Sequence, residues 1–567
     1  MMRNSTASQR TGTRQKVLCC ALVAAGMMAA NTSWAASFTF TTTADWSSGV
    51  LTNTNGEPPP STGDGHVRLN DVVLTPFNHI WVALSGRNTA VRINTDHVDA
   101  DGRVTLAESA AGSGAVYGEY RTAPQGQPAD PSRTTVDQNG DVWVGNRAQG
   151  SGGQGSVVKL SATPTGTTST GVWNGSNFNV LDWTNAGGAD TNGGTSTAAD
   201  SAVSLYVRTA GTNVRTIAVD KNNDVWVGGY GDKEHQLIDG DTGAAKSAIV
   251  NLGSNSGYGG LVDGNGVLWS AGWGNASLSR YDPATNTQTD HLVGGGSYGL
   301  AVDGEGNIYN THLSNSVSKL DSAGNLIWTK TYAGGASNRG IAVTPDGDLW
   351  IGNSGSNTVT RLDKDGNWKA NIVVESGPMG ISVDSKGKVW ATNYSSNSVS
   401  RIDPNAGTFG AVDLTIELGG NALPYNYSDM TGSVVAGTTN PSGTWRKVMD
   451  GGAGASWDEL FWNEEDEGAI PDTTGILVEA RVSDDMLTWT DYFSYDSGDL
   501  IGLSGRYLEI RATLSRPGSS NLTPVLSDLR VNYTPDDGGG TVPEPGSLAL
   551  IAGGLFGLGW LRRRRSA

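Results

Sequence analysis

Short stretches in which apolar and polar residues alternate with period two recur through most of the chain, each bounded by Gly, Asn, Asp or Pro. That pattern predicts half-buried β-strands joined by tight turns, with little helix. The clearest unit pairs a turn with an aromatic strand: PFNHIWVALSG at Trp81, then equivalents at Trp143, Trp226, Trp269, Tyr309, Trp350 and Trp390. The last five copies are spaced by 43, 40, 41 and 40 residues, whereas the first two intervals, 62 and 83, carry Gly/Ser/Thr-rich insertions.

Within one copy, residues 340–343 form a small-residue apolar strand and Pro345-Asp346-Gly347 a turn. Residues 349–351 form a second strand, 358–362 a third, 363–366 another turn and 368–374 an outer strand. Seven such four-stranded units at a period near 40 predict a β-propeller, with the small-residue strand at the crowded axis. Closing the ring requires an added strand, for which residues 37–43 or the segment near Val72, paired around 412–416, are the candidates. The polar link LPYNYSDMTGSVVAGTTNPSG follows the last copy. After it TWRKVMDG, ILVEARVSD, TWTDYF, RYLEIRATLSR and LSDLRVNYT alternate again, which predicts a β-sandwich.

The expected organisation is therefore all-β. A signal peptide (1–35) and an N-terminal extension with a strand (36–64) precede a seven-bladed propeller (65–432). A linker (433–442), a sandwich (443–535), a Gly-rich linker (536–541) and a sorting tail (542–567) follow.

The two ends differ from the body. A basic stretch, an apolar run over 17–30 and Ser33-Trp34-Ala35 give the form of a secretory leader cleaved after Ala35 by signal peptidase. Cys19 and Cys20 leave with it, so disulfides, thiolate metal sites and a cysteine nucleophile are excluded from the exported body. At the other end, 547–561 is an apolar helix of 15 residues, about 22 Å long against a hydrocarbon core of about 30 Å, followed by Arg562 to Arg565. Such a helix suits transient insertion in the inner membrane with its arginines cytoplasmic. Of 567 residues, 38 are Lys or Arg and 56 are Asp or Glu; without both ends, 30 basic face 55 acidic residues. An acidic surface repels phosphate backbones, which excludes nucleic acid as a partner. Gly, at 80 residues, is frequent, but the hydrophobic fraction of 37% with 18 Trp builds a core and excludes collagen or general disorder.

Three resemblances add to this reading. Val542-Pro543-Glu544-Pro545, a short Gly-rich apolar helix and a terminal Arg cluster resemble the PEP-CTERM sorting signal of Gram-negative bacteria. That resemblance implies processing by exosortase, delivery to the cell surface or extracellular matrix, and a setting in which exopolysaccharide is secreted. An Asp six residues before the aromatic, then a strand ending in Arg-x-Asp (Arg280, Arg361, Arg401), resembles the propellers of virginiamycin B (streptogramin) lyases and their NHL-repeat relatives. GRYLEIRATLS followed by TPVLSDLRVNYT resembles a sandwich module of secreted bacterial proteins, implying adhesion or glycan binding.

The lyase resemblance implies His and Glu side chains at the channel mouth with a divalent metal. Yet the position three after each aromatic holds no Glu, and only His312 among basic groups, here placed in a loop. One His cannot supply both a base and a metal site, so no catalytic or metal residues are assigned beyond His312 as a weak candidate. The register eleven before the aromatic, beginning at Asn70, instead gathers Arg215, Tyr258, Tyr298 and Arg339 at one channel end, with Arg133 one position off. Guanidinium forks and aromatic faces suit an anionic ligand such as exopolysaccharide; stitching of neighbouring blades is the competing role. No cofactor is expected. Calcium is the lesser reading of the aspartates, since Asp137-Gln138-Asn139-Gly140-Asp141 begins like a calcium loop but lacks the later Glu. Glu464-Glu465-Asp466-Glu467 reads as a solvated loop, and Trp445, Trp457, Trp462 and Trp489 as core residues or sugar platforms. A non-catalytic binding protein is the leading function, with a propeller lyase or other carbohydrate-active enzyme, or a protein scaffold, as alternatives.

Overall fold

The computed structural model describes residues 36–54, 65–69, 77–110, 113–127, 129–147, 154–172, 180–184, 200–434, 442–516 and 522–536. Ala35, the segment near Val72, Val542, Pro543, Glu544 and Pro545 lie outside them. Among the described residues no helix is long and apolar enough to cross a membrane. Strands dominate, and helix is confined to short pieces such as Thr43–Ser47 and Leu106–Ala110.

Seven antiparallel sheets follow one another along the described chain. Blade 1 contains His79–Leu84, Thr89–Asn94 and Val116–Arg121. Blades 2 to 7 begin with Pro131–Val136, Val214–Val219, Gly259–Val262, Ser297–Val302, Asn338–Val343 and Pro378–Val383. These first strands pack side by side in order, as inner strands around an axis must. Blade 6 is Asn338–Val343, Leu349–Asn353, Thr358–Leu362 and Trp368–Val373, the four strands expected, with ends shifted by two residues at most. Crowding at the axis explains its glycines: a Cβ on Gly340 would lie 2.8 Å from the Met379 carbonyl.

The repeat motif has a packing cause. Each aromatic on a second strand is buried, and directly opposite it on the third strand sits a cation in several blades: Trp81 faces Arg92, Trp269 Arg280, Trp350 Arg361 and Trp390 Arg401. The Arg361 guanidinium lies 4.8 Å from the Trp350 ring centre and donates to the Pro404 and Phe409 carbonyls at 2.7 and 3.1 Å. Arg401 donates in the same way to the Thr95 and His97 carbonyls at 2.8 and 2.9 Å. In blades 6 and 7 the arginine of Arg-x-Asp is thus a clamp between one blade and the next, desolvated enough for charge-assisted bonds to matter.

Closure differs from the expected form. Residues 37–43 do not reach the last blade: Ala36–Phe40 pairs with Leu529–Thr534. The 412–416 region instead receives Arg103–Val104, from within blade 1, as a parallel strand. The segment after blade 7 then returns along His79–Leu84, where Trp81 N–H donates to the Met430 carbonyl at 2.9 Å and Ser85 N–H to the Leu423 carbonyl at 3.2 Å. Residues 423–430, the first part of the stretch read as a polar link, therefore run along His79–Leu84 as the innermost segment of blade 1, bridged at Leu84 and Pro424. Trp390, Val399, Leu414 and Ile416 share one apolar cluster with Ile80, Val82, Val91 and Ile93, so the first and last blades close on each other.

The C-terminal strands form two sheets. One joins Ala36–Phe40, Leu529–Thr534, Ser456–Trp462 and Asp499–Ser504; the other joins Val50–Thr52, Ser442–Asp450, Tyr507–Ser515, Gly475–Ser483 and Phe493–Tyr495. Val67–Arg68 pairs with Val525–Leu526, so the chain before blade 1 belongs with these sheets. Their side chains share one core that includes Phe40, Trp46, Trp445, Trp457, Trp462, Ile510 and Val531. The acidic run 464–467 lies largely exposed, with Glu464 paired to Arg530 at 2.9 Å.

Candidate functional site

The register that singles out Arg215, Tyr258, Tyr298 and Arg339 brings these residues together at one end of the channel, and Arg133 joins them. Tyr258 and Tyr298 lie with ring centres 5.2 Å apart. Arg215 is 4.7 Å from the Tyr258 ring and Arg339 4.9 Å from the Tyr298 ring. Arg133 is fully buried and donates to the Tyr258 carbonyl at 2.6 Å. The position eleven residues before Trp81, where Asn70 is expected at the mouth, lies outside the described residues, and the closing segment supplies Tyr425 and Tyr427 there instead. Arg133 stands 3.3 Å from the Tyr427 ring centre, and Arg147 stands 4.4 Å from that of Tyr425.

Exposure divides the cluster into a support and a surface. Arg133, Tyr258, Tyr298 and Tyr427 are buried, whereas Arg215, Arg339, Tyr230, Met379 and Tyr425 are half-buried. Trp273, just past the second strand of blade 4, is 55% exposed and stacks on Tyr258 at 5.8 Å with 15° between planes. One face of its indole is backed by a fixed ring.

The phenols form a hydrogen-bonded chain: Tyr258 to Tyr425 at 3.2 Å and Tyr425 to Tyr427 at 3.0 Å. Burial pushes the Tyr298 and Tyr427 hydroxyls well above their usual range. For Tyr425 burial acts the same way, but the Arg133 charge, bonds from Tyr258 and Tyr427, and the Arg215 charge outweigh it and draw the group down to about 7. Burial works against the Arg215 charge, and the surrounding phenols more than offset it. Behind this layer a cavity is lined by Thr135, Ala218, Gly260, Leu261, Ser428 and Asp429.

His312 does not lie in a loop. It ends the strand Ile308–His312, is 1% exposed, and has Nδ1 2.9 Å from Ser316 Oγ and Nε2 3.0 Å from Ser318 Oγ. Burial lowers its pKa. Asn393 at the same repeat position donates to Ser398 and Ser400 at 3.2 and 2.9 Å, and Asn353 donates to Thr360 at 2.7 Å. Where this position carries His or Asn it is a clamp between second and third strands.

The repeated aspartates are likewise engaged in their turns. Asp263 Oδ1 accepts the Asn265 and Val267 N–H groups at 2.9 and 3.1 Å while Oδ2 accepts Trp269 Nε1 at 2.8 Å; Asp384 repeats the arrangement with Trp390. Asp137 accepts from Asn139 and Asp141 and pairs with Lys159 at 2.9 Å. These carboxylates hold hairpins and aromatic rings.

Ring order, inner-strand packing and closure define the class: a β-propeller whose central channel ends in an arginine and tyrosine cluster. Residues 541–565 of the same chain match the PEP-CTERM protein-sorting motif, which implies export and membrane-anchored sorting by exosortase. No curated protein matches the chain by sequence. Among solved structures it is similar to virginiamycin B lyase from Staphylococcus aureus, at 14% identity, TM-score 0.41, covering 57% of this chain and 93% of that one. A streptogramin B lyase gives 16% identity, TM-score 0.41, and the same two coverages of 57% and 93%. A functionally unknown protein from Desulfotomaculum acetoxidans DSM 771 gives 10%, TM-score 0.43, 63% and 99%.

Proposed function

We propose that the chain is an exported cell-surface or matrix protein whose propeller binds an anionic glycan at the arginine and tyrosine mouth without transforming it. The observation that carries this reading is charge. Arg215 and Arg339 stand half-exposed over buried Arg133, and no carboxylate pairs with any of the three among the described residues, in a chain of net charge −18. An anion arriving there gains charge-assisted bonds without displacing a carboxylate partner. Trp273, held against Tyr258, offers the flat apolar face on which a sugar ring stacks. The clamp role of His312 and the engaged aspartates favour binding over elimination. In this reading the propeller covers the blades and the closing segment, and the two C-terminal sheets form a β-sandwich that also includes residues 36–54 and 65–69.

Affinity for polygalacturonate tests the reading. Arg215→Ala with Arg339→Ala should weaken binding at least tenfold, and binding by the native protein should fall with salt, because exposed charges are screened over about 10 Å at 0.1 M. Equal affinity of the double variant would overturn it.

A further inference from the structure

We propose that the surface pocket beside Trp489, on the C-terminal sheets, is a second binding site and that it takes an uncharged sugar ring. This rests on different residues from the channel mouth and stands or falls separately. Of the five described tryptophans in this region, Trp46, Trp445, Trp457 and Trp462 are buried in the shared core; Trp489 alone is half-exposed and lines an open pocket with Ser483, Asp484, Thr488, Thr490 and Ser504.

The pocket wall is held in one shape. Asp485 Oδ1 accepts the Leu487 and Thr488 N–H groups at 2.8 and 2.7 Å, and Met486 takes a left-handed conformation at φ 58°. Trp489 Nε1 donates to the Met486 carbonyl at 3.1 Å, and Thr490 N–H donates to the Val482 carbonyl at 3.0 Å. The Arg481 guanidinium lies 4.8 Å from the indole centre and is itself fixed by Glu509, to which its Nε donates at 2.6 Å. Tyr492 braces the same pair: its ring lies 4.5 Å from Arg481 and its hydroxyl donates to Glu509 at 3.0 Å. An exposed indole so braced has little side-chain freedom to lose on binding.

The chemistry around it selects the ligand class. A pyranose presents C–H groups on one face and hydroxyls around its rim, so it needs one flat aromatic surface and acceptors beside it. Thr488 and Ser504 supply hydroxyls, while that of Thr490 holds the wall by accepting the Val482 N–H at 3.2 Å and donating to the Asp491 carbonyl at 3.1 Å. Asp484 uses Oδ1 for the Arg506 N–H at 3.0 Å, which leaves its other oxygen for a ligand hydroxyl. Two carboxylates at the rim repel a uronate or a sulfated sugar, the reverse of the channel mouth, so the two sites sort glycans by charge.

The test is calorimetric titration of the full chain with cellopentaose, mannopentaose and polygalacturonate. Trp489→Ala should weaken binding of at least one neutral oligosaccharide tenfold or more and leave polygalacturonate unchanged, with Trp489→Phe intermediate and Asp484→Asn weakened. Arg215→Ala with Arg339→Ala should do the reverse. No heat with either neutral oligosaccharide at millimolar concentration, or native-like binding by Trp489→Ala, would overturn the proposal. So would calcium binding that is lost in Asp484→Asn, which would make the pocket a cation site.

Discussion

Arg133 and Tyr427 lie at opposite ends of the propeller sequence, yet the guanidinium of one stands 3.3 Å from the ring centre of the other. The contact is where closure and the candidate site become one structure. Asn426 beside it donates to Thr134 at 2.9 Å, and its carbonyl accepts from Thr392 at 3.2 Å, tying blade 2 to blade 7 across the closing segment.

Removing the ring of Tyr427 should therefore open the propeller as well as the mouth. Tyr427→Ala leaves a cavity beside a buried cation and should cost about 3–5 kcal/mol. Tyr427→Phe keeps the stack and loses hydroxyl bonds only, at about 1 kcal/mol. Denaturant midpoints of the two variants check this; equal values would mean that the closing segment contributes nothing.

His312 should behave as a strand clamp. His312→Ala removes partners of two buried hydroxyls and should cost about 2–3 kcal/mol, whereas His312→Asn, which restores the residue found at positions 353 and 393, should cost under about 1 kcal/mol. Polygalacturonate affinity should stay native in both. A large loss of binding with unchanged stability would return His312 to the site.

Acid should destabilise the propeller through two other histidines. Burial lowers His79 and His235 from 6.5 to about 4 each. Below pH 6.5 the unfolded chain binds protons that the folded chain refuses, so this stability is complete above pH 6.5 and is lost as pH falls toward 4. The loss approaches roughly 3 kcal/mol per histidine. Unfolding free energies measured from pH 7 to 4 should show a slope that drops by about one proton in His235→Gln.

Local pattern carried much of this structure, and the failures have a common cause. Trp350, Arg361 and the 345–347 turn are legible because a hairpin places residues close in sequence opposite each other. Arg215 and Tyr258 are legible because the same register repeats in every blade. Tyr425 and Tyr427 are not, since the segment that carries them runs along a strand laid down before blade 2, bridged to it at Leu84 and Pro424, and has no turn-aromatic signature. The alternation Tyr425, Tyr427, Asp429 was the available signal. His312 looked chemical because sequence gives identity without burial; Ser316 and Ser318, four and six residues on, are what satisfy it.

The remaining prediction concerns Tyr425, which faces Arg147, Arg133 and Arg215 together with the hydroxyls of Tyr258 and Tyr427. With a pKa of about 7, its phenolate forms as pH rises through neutrality and competes with an incoming carboxylate for the same guanidinium charge. Polygalacturonate is fully ionised across that range, so a change in affinity belongs to the protein. Affinity should fall above pH 7, by up to about tenfold per pH unit where binding requires the neutral phenol. Tyr425→Phe should bind at least as well as the native protein at pH 8.5 and should lose the decline. The same phenolate should raise stability between pH 7 and 10, because there the folded chain gives up a proton that the unfolded tyrosine keeps. A decline in affinity that persists in Tyr425→Phe would assign the titration to another group.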